Sequence, residues 1–428
     1  MKKYAKYIIL PTGAWLVMSS LLSCGENRWP EYYPFTGKNL WIDELMREEY
    51  LWYEEMPSFN DLNYFLSPDK FIAAVRSEKD KGFTKTDSLY PQQLPTYGFS
   101  YQLNKVSHSD STYFAMITDV LPQSPAKEAG LQRGQWIMKV DNDSITKKKE
   151  SFLNEGGART LAVGEYKVRT EQDAEGQEII IKEVTATGNV DIAAARPVTK
   201  ETEPSAIFLQ NNRTAYFRYL QFDEKWDATL LDFSNSCHTH GVTEVILDLR
   251  NNQEGNLQSV QKLATLLVPA QAVGQQLAHL EYNAKKSDKN KDLMLDAALI
   301  QGGKNLNLSR IFVLTTENTA GPAEMLINCL KPFMKVVLIG SKTRGEYVAT
   351  EPFTNPEFQW RVCPAVCYVY NNLGENDYQE GFTPNKSIQP LSDPAQVLPY
   401  GNPQEALLSV ALGMIDGSIE IPQEQPNT

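Results

Sequence analysis

Side chains suited to proton transfer or metal binding are sparse in this 428-residue chain. Its four histidines are His108, His238, His240 and His279, and a Ser-His-Asp arrangement would have to draw on one of them. None stands in a Gly-x-Ser-x-Gly setting, where a sharp turn presents a hydroxyl to its base. Cys237-His238-x-His240 offers three possible zinc donors within four residues, but no second cluster supplies the fourth ligand of a tetrahedral site. Its place ahead of an apolar run fits a helix-to-strand connection, and neither a metal nor a cofactor is expected. Gly302-Gly303-Lys304 lacks the spacing of a phosphate-cradling loop. Asp248 and Arg250, at the end of the apolar run 242–249, are expected to pair or cap locally.

Any chemistry must be positioned by well-packed elements, and the composition allows that. With 42% hydrophobic and 10% aromatic residues, the chain can bury two or three cores. A net charge of −12 and a pI near 5.0 would repel a polyphosphate backbone, so nucleic acid is not expected as a partner. The N-terminus carries a targeting signal: Lys2, Lys3 and Lys6, then an apolar stretch 8–22, closed by Leu21-Leu22-Ser23-Cys24. This ending resembles a bacterial lipobox. The resemblance implies cleavage before Cys24, acylation of that residue and a lipid-anchored protein of the bacterial cell envelope, at the outer membrane, facing the periplasm or the outside. The alternatives are an ordinary secretory signal or a short membrane helix, which Pro11 and Gly13 would interrupt. No later stretch reaches about 18 uninterrupted apolar residues.

A signal peptide 1–23 and a polar tether 24–38 are followed by a helical domain expected over 39–93. Ile42, Leu45, Met46, Tyr50 and Tyr53 fall on one helical face, and Ser67-Pro68-Asp69 has the cap, proline and acid of a second helix start. The mixed-charge segment 76–85 is expected to be a solvated loop. Strand-like runs then begin at residues 97, 113, 136 and 178. From 204 to 392, apolar strands at 242–249, 311–314 and 335–340 alternate with helical patterns at 257–268 and 324–333, the signature of an α/β core. If residues 361–370 form one strand, Cys363 and Cys367 lie about 13 Å apart, beyond disulfide reach. A last helix within 393–417 is expected to start at Asn402-Pro403 and stop at Gly417, ahead of a polar tail 418–428.

Two resemblances join these parts. Ser124-Pro125-Ala126-Lys127-Glu128-Ala129-Gly130-Leu131 and the turn Asp141-Asn142-Asp143 resemble a PDZ domain, placed at 94–198. A PDZ domain adds an extended peptide to a sheet edge and holds its terminal carboxylate on backbone N–H groups, a role that falls on Tyr97, Gly98, Phe99 and Ser100. Three blocks of the core resemble the tail-specific, or carboxyl-terminal processing, serine protease family: Asp248-Leu249-Arg250-Asn251-Asn252-Gln253-Glu254-Gly255, Thr319-Ala320-Gly321-Pro322-Ala323-Glu324, and Gly340-Ser341-Lys342-Thr343-Arg344-Gly345-Glu346. Gly381-Phe382-Thr383-Pro384-Asn385 resembles the family's late turn. The implied fold is an α/β multidomain protein with an N-terminal helical domain, a β-rich PDZ domain and a Clp-protease/crotonase-like α/β core.

That family cuts peptides with a Ser nucleophile, a neutral Lys base and backbone oxyanion donors. Here the nucleophile position is Gly321 and the base position is Glu346, 25 residues apart as in the family. Thr350 stands at an accessory position, and Gln253-Glu254 interrupts the glycine run that leads to Gly255. A Glu beside a developing oxyanion would oppose its charge. Thr315, Thr316 and Thr319 precede the turn, and Thr319 with Lys342 is the one substitute pair the sequence offers. The pattern implies an envelope pseudoprotease that binds peptides or protein C-termini. An active peptidase with a substituted site, and a non-binding structural protein, are the alternatives.

Overall fold

The structure, a computed structural model, describes residues 29–106, 111–173, 175–199 and 202–422. Cys24 and His108 lie outside the described residues. The chain divides into two compact units, one running to Leu89 and taking in Glu351–Ala365, the other comprising Tyr90–Thr350 and Val366 onward. Neither the helical part at 39–93 nor the core at 204–392 is therefore one continuous stretch.

In the first unit, the helix expected from residue 39 begins ten residues earlier, at Trp29–Glu49, so most of the tether is helical. Pro30 sits among the first positions, whose N–H groups have no helical partner, and Glu31 complements the positive end of the helix dipole. Ile42, Met46 and Tyr50 are fully buried against Phe71, Ile72 and Val75 of the Pro68–Val75 helix. Segment 76–85 is not merely solvated. Asp80 is fully buried and accepts hydrogen bonds from Tyr50 Oη at 2.8 Å and from the Thr84 N–H at 2.9 Å. Lys85–Ser88, Trp360–Cys363 and Phe353–Asn355 complete the unit as a three-stranded sheet.

The second unit contains a β-rich domain and an α/β core. The β-rich domain is an antiparallel sheet in the order Phe99–Lys105, Tyr113–Val120, Trp136–Val140, Arg159–Gln172, Glu178–Ile192. Its core comprises Ala115, Ile117, Ile137, Val140, Leu161 and Val163. Ser124 caps the short Pro125–Glu128 helix by accepting from the Lys127 N–H at 3.1 Å, as the motif requires. In the α/β core, parallel strands Lys386–Ser387, Lys335–Gly340, Arg310–Thr315, Glu244–Asp248 and Thr214–Arg218 lie side by side, with Ser205–Leu209 antiparallel at one edge. One face, through Tyr216, Ile246, Phe312, Leu314, Val337 and Ile339, packs on the Ala406–Asp416 helix. On the other, Phe217 stacks on Phe233 of the Asp227–His240 helix at 4.1 Å. Both faces are covered, as continuous apolar strands demand.

Two boundaries differ from expectation. Residues 361–370 are two strands, Trp360–Cys363 and Ala365–Asn371, separated at Pro364, which cannot donate to a ladder. The last helix is capped by Glu405 rather than Asn402, because the Glu405 carboxylate reaches the N–H groups of Leu407 and Leu408. Gly417, with φ +84°, ends it as expected.

Candidate functional site

The strand Arg310–Thr315 leads through a tight turn to the helix Pro322–Leu330, and Gly321 caps that helix at φ +50°, ψ −111°. Glycine holds this conformation at little cost, whereas any side chain would make it strained. The turn is pinned on both sides. The Ala320 N–H donates to the Asn252 carbonyl at 2.9 Å, and the buried Thr319 hydroxyl donates to the Leu249 carbonyl at 3.0 Å while accepting from the Thr316 N–H at 3.0 Å. The Thr319 hydroxyl is thus committed to the turn. Thr315 is likewise occupied, donating to the Ser341 carbonyl at 2.9 Å.

A Cβ placed on Gly321 would lie 3.4 Å from Cδ and Oε1 of Glu346 and 3.7 Å from the Gln253 carbonyl oxygen. The three sequence blocks therefore converge on one point. What converges there is a missing side chain, a carboxylate and a backbone acceptor. Glu346 is 7% exposed. Glu254 is exposed, and the backbone acceptor nearest the 321 position is the carbonyl of Gln253. Gly255, at φ +145°, is needed for close packing, since a Cβ there would come within 2.2 Å of the Phe222 carbonyl oxygen. Thr350 ends the Val348–Thr350 strand, half-buried.

Two residues that the sequence reading left without a role organise this site. Glu324 accepts from the N–H groups of Gly345 and Glu346, both at 2.7 Å, and from the Thr343 hydroxyl, so it ties the loop carrying Glu346 to the helix start. Burial pushes its carboxyl up to about 6, and these hydrogen bonds, with one from Gly321, restrain the rise. Pro322 occupies the first helical position, where it costs the helix nothing but removes the N–H that would follow a nucleophile at 321. An acyl-transfer site on such a turn uses that N–H as an oxyanion donor. The signal was legible, a proline directly after the nucleophile position.

Asp248 and Arg250 do more than pair locally. Arg250 binds Asp248 through Nε at 2.9 Å and Nη2 at 2.6 Å, and reaches Glu405, 155 residues away, through Nη1 at 2.6 Å. Burial opposes the Asp248 charge, but Arg250 outweighs it and holds the carboxyl below its ordinary value. Arg133 of the β-rich domain approaches the same Glu405 oxygen at 3.6 Å and donates to the Leu398 carbonyl at 3.1 Å.

Of the four residues assigned to peptide binding, Tyr97 and Phe99 are buried in the β-rich core and Ser100 is exposed. The Gly98 N–H is engaged by Thr96 Oγ1 at 3.0 Å, and a Cβ on Gly98 would meet Ser124 Cβ at 2.2 Å. The strand they lead into lies at the sheet edge. Beside Tyr97 a cleft of about 440 Å³ is lined by Pro95, Phe152, Glu155, Gly156 and Arg159, and Arg159 is ion-paired to Asp141 at 2.8 Å. Among the described residues no group of three His, Cys, Asp or Glu could hold a metal ion. Cys237 is buried, and burial pushes its thiol up to about 12, while His240 bonds the Ser236 carbonyl at 2.8 Å and stacks on Phe208.

The family model for peptidase family S41 matches residues 213–388, and that for the peptidase S41 N-terminal domain matches 38–101. A carboxyl-terminal-processing protease of Synechocystis is 24% identical over 398 residues, covering 90% of this chain and 83% of that one. A CtpA-like serine protease of Staphylococcus saprophyticus is 24% identical over 297 residues, 66% of this chain and 52% of its own length. A crystal structure of a Bacteroides fragilis protein assigned to the S41 proteases superposes with a TM-score of 0.82 at 42% identity, over 89% of this chain and 98% of that one.

Proposed function

This chain belongs to peptidase family S41, and we propose that within it the protein binds peptide segments or protein C-termini without cutting them. The observation that carries this is the Glu346 carboxyl group standing 3.4 Å from where a Cβ at position 321 would lie, in a frame whose supports are intact. A nucleophile needs a hydroxyl or thiol, and the 321 position has none. The base of the family is a neutral Lys amine, and 346 carries a carboxyl group instead. The oxyanion needs donors, and Pro322 supplies none while Gln253 turns an acceptor toward the site. Peptide capture is assigned to the β-rich domain, taken as a PDZ domain, through the edge strand Phe99–Lys105 and the segment Tyr97 to Ser100. Acylation at Cys24 would hold the protein in the bacterial envelope.

Incubation with unstructured proteins is expected to yield no time-dependent products. Cleavage by the wild type that disappears in Glu346→Gln would overturn the proposal. Gly321→Ser/Glu346→Lys is expected to stay inactive until Pro322→Ala is added, since one oxyanion donor accounts for about 10²–10³ in kcat. Binding is tested separately: a peptide with a free C-terminus should bind more tightly than its amidated copy, and equal binding would remove the role given to the edge strand.

A further inference from the structure

The first unit carries exposed aromatic side chains around the start of its first helix. Tyr32, Tyr33 and Phe35 are 38%, 45% and 72% exposed in the opening turns of the Trp29–Glu49 helix, and Phe59 and Phe65 are 47% and 61% exposed in the following loop. Tyr33 leans on Phe358 and Phe59 on Tyr64, ring centroids 6.1 and 5.1 Å apart, whereas Tyr32 and Phe35, three residues apart, share a helical face that Phe65 adjoins. The contact of Phe65 with Tyr32 is built into the fold. The buried Asn39 side chain donates to the carbonyls of Tyr64 at 2.9 Å and Leu66 at 2.7 Å, and the Tyr64 hydroxyl reaches inward to Asp43 at 3.0 Å. Held from beneath, this loop turns Phe65 outward against Tyr32, ring centroids 5.8 Å apart.

We propose that this aromatic face docks on the surface of the bilayer that holds Cys24, an inference that rests on the lipid anchor proposed above. Five residue steps separate Cys24 from Trp29, a reach of at most about 18 Å. Tyr32 to Phe35 lie within about 9 Å of the helix start. An acylated Cys24 therefore keeps the patch within roughly 27 Å of the membrane whatever the direction of the helix. The bilayer is the one apolar partner always present at that distance, whereas a second copy must be met by diffusion. Tyrosine and phenylalanine suit the interfacial zone, where an apolar ring is buried and a hydroxyl stays wet. The net negative charge of the chain gives no attraction to anionic lipid, so docking is driven by apolar burial and added salt should not weaken it.

The test uses the full chain, acylated in a bacterial host and reconstituted into phosphatidylethanolamine/phosphatidylglycerol vesicles with a photoactivatable phospholipid reactive near its headgroup. Adducts are expected on peptides carrying Tyr32, Phe35 and Phe65. Phe35→Ser/Phe65→Ser should lower their yield at least fivefold while the lipid keeps the chain on the vesicles and its thermal unfolding is unchanged. An acylated, vesicle-bound wild type without adducts there would sink the docking and leave the anchor standing. A chain recovered unacylated would remove the anchor and the docking together.

Discussion

Two helices of the core begin at a buried glutamate, and the two glutamates are served very differently. Glu405, which opens Ala406–Asp416, meets Arg250 and Arg133 as well as two helix N–H groups. Glu324, in the first turn of Pro322–Leu330, receives hydrogen bonds from backbone N–H groups and one hydroxyl. The first sits inside an ionic junction, and Tyr400 lays its ring against Arg133, Arg218 and Arg250 at 4.0–4.9 Å. The second carries a raised pKa and can change its protonation in mildly acidic solution. A buried carboxylate given cations locks segments together, and one given only neutral donors holds a loop in a way that pH can loosen.

Breaking the cationic junction should have the largest effect. Glu405→Ala leaves Arg250 and Arg133 buried without their shared partner, and urea unfolding should show a loss of about 3–5 kcal/mol. Glu324→Gln keeps the shape but reduces the acceptors available to Gly345, Glu346 and Thr343, and should cost about 1–3 kcal/mol. The pH dependence sharpens the contrast. A carboxyl raised from its ordinary 4.5 to about 6 in the folded state contributes stability that is full below pH 4.5 and lost as pH rises through 6. That span corresponds to about 2 kcal/mol in the wild type, and the slope it adds should be missing in Glu324→Gln. Gly321→Ala, which forces a side chain into φ +50° with no steric clash, should cost about 1–2 kcal/mol.

Much of this frame was legible beforehand because its signals are local. Ser124-Pro125, Gly417 and the apolar runs of the parallel strands announce themselves within a few residues. The facing of Gly321 and Glu346 was also legible, from blocks at a family spacing. What was not legible depends on partners far along the chain. Asp80 looked like one more surface charge because Tyr50, its buried donor, lies 30 residues earlier. Arg250 looked local because Glu405 lies 155 residues later. Glu324 stood in plain view within a motif, yet its partners are mainly backbone N–H groups, which no residue type reveals.

The first unit ends in a strand borrowed from late in the chain: Lys85–Ser88 pairs with Trp360–Cys363, and Thr86 Oγ1 donates to the Arg361 carbonyl across 275 residues. During synthesis the two N-terminal helices leave the ribosome long before that strand exists. Their sheet must wait until the parallel core has been made, and closing so large a loop is slow, although its entropy grows only logarithmically with length. A fragment ending before residue 351 would expose the unpaired edge at Lys85–Ser88, so the segment nearest the N-terminus is among the last to be completed.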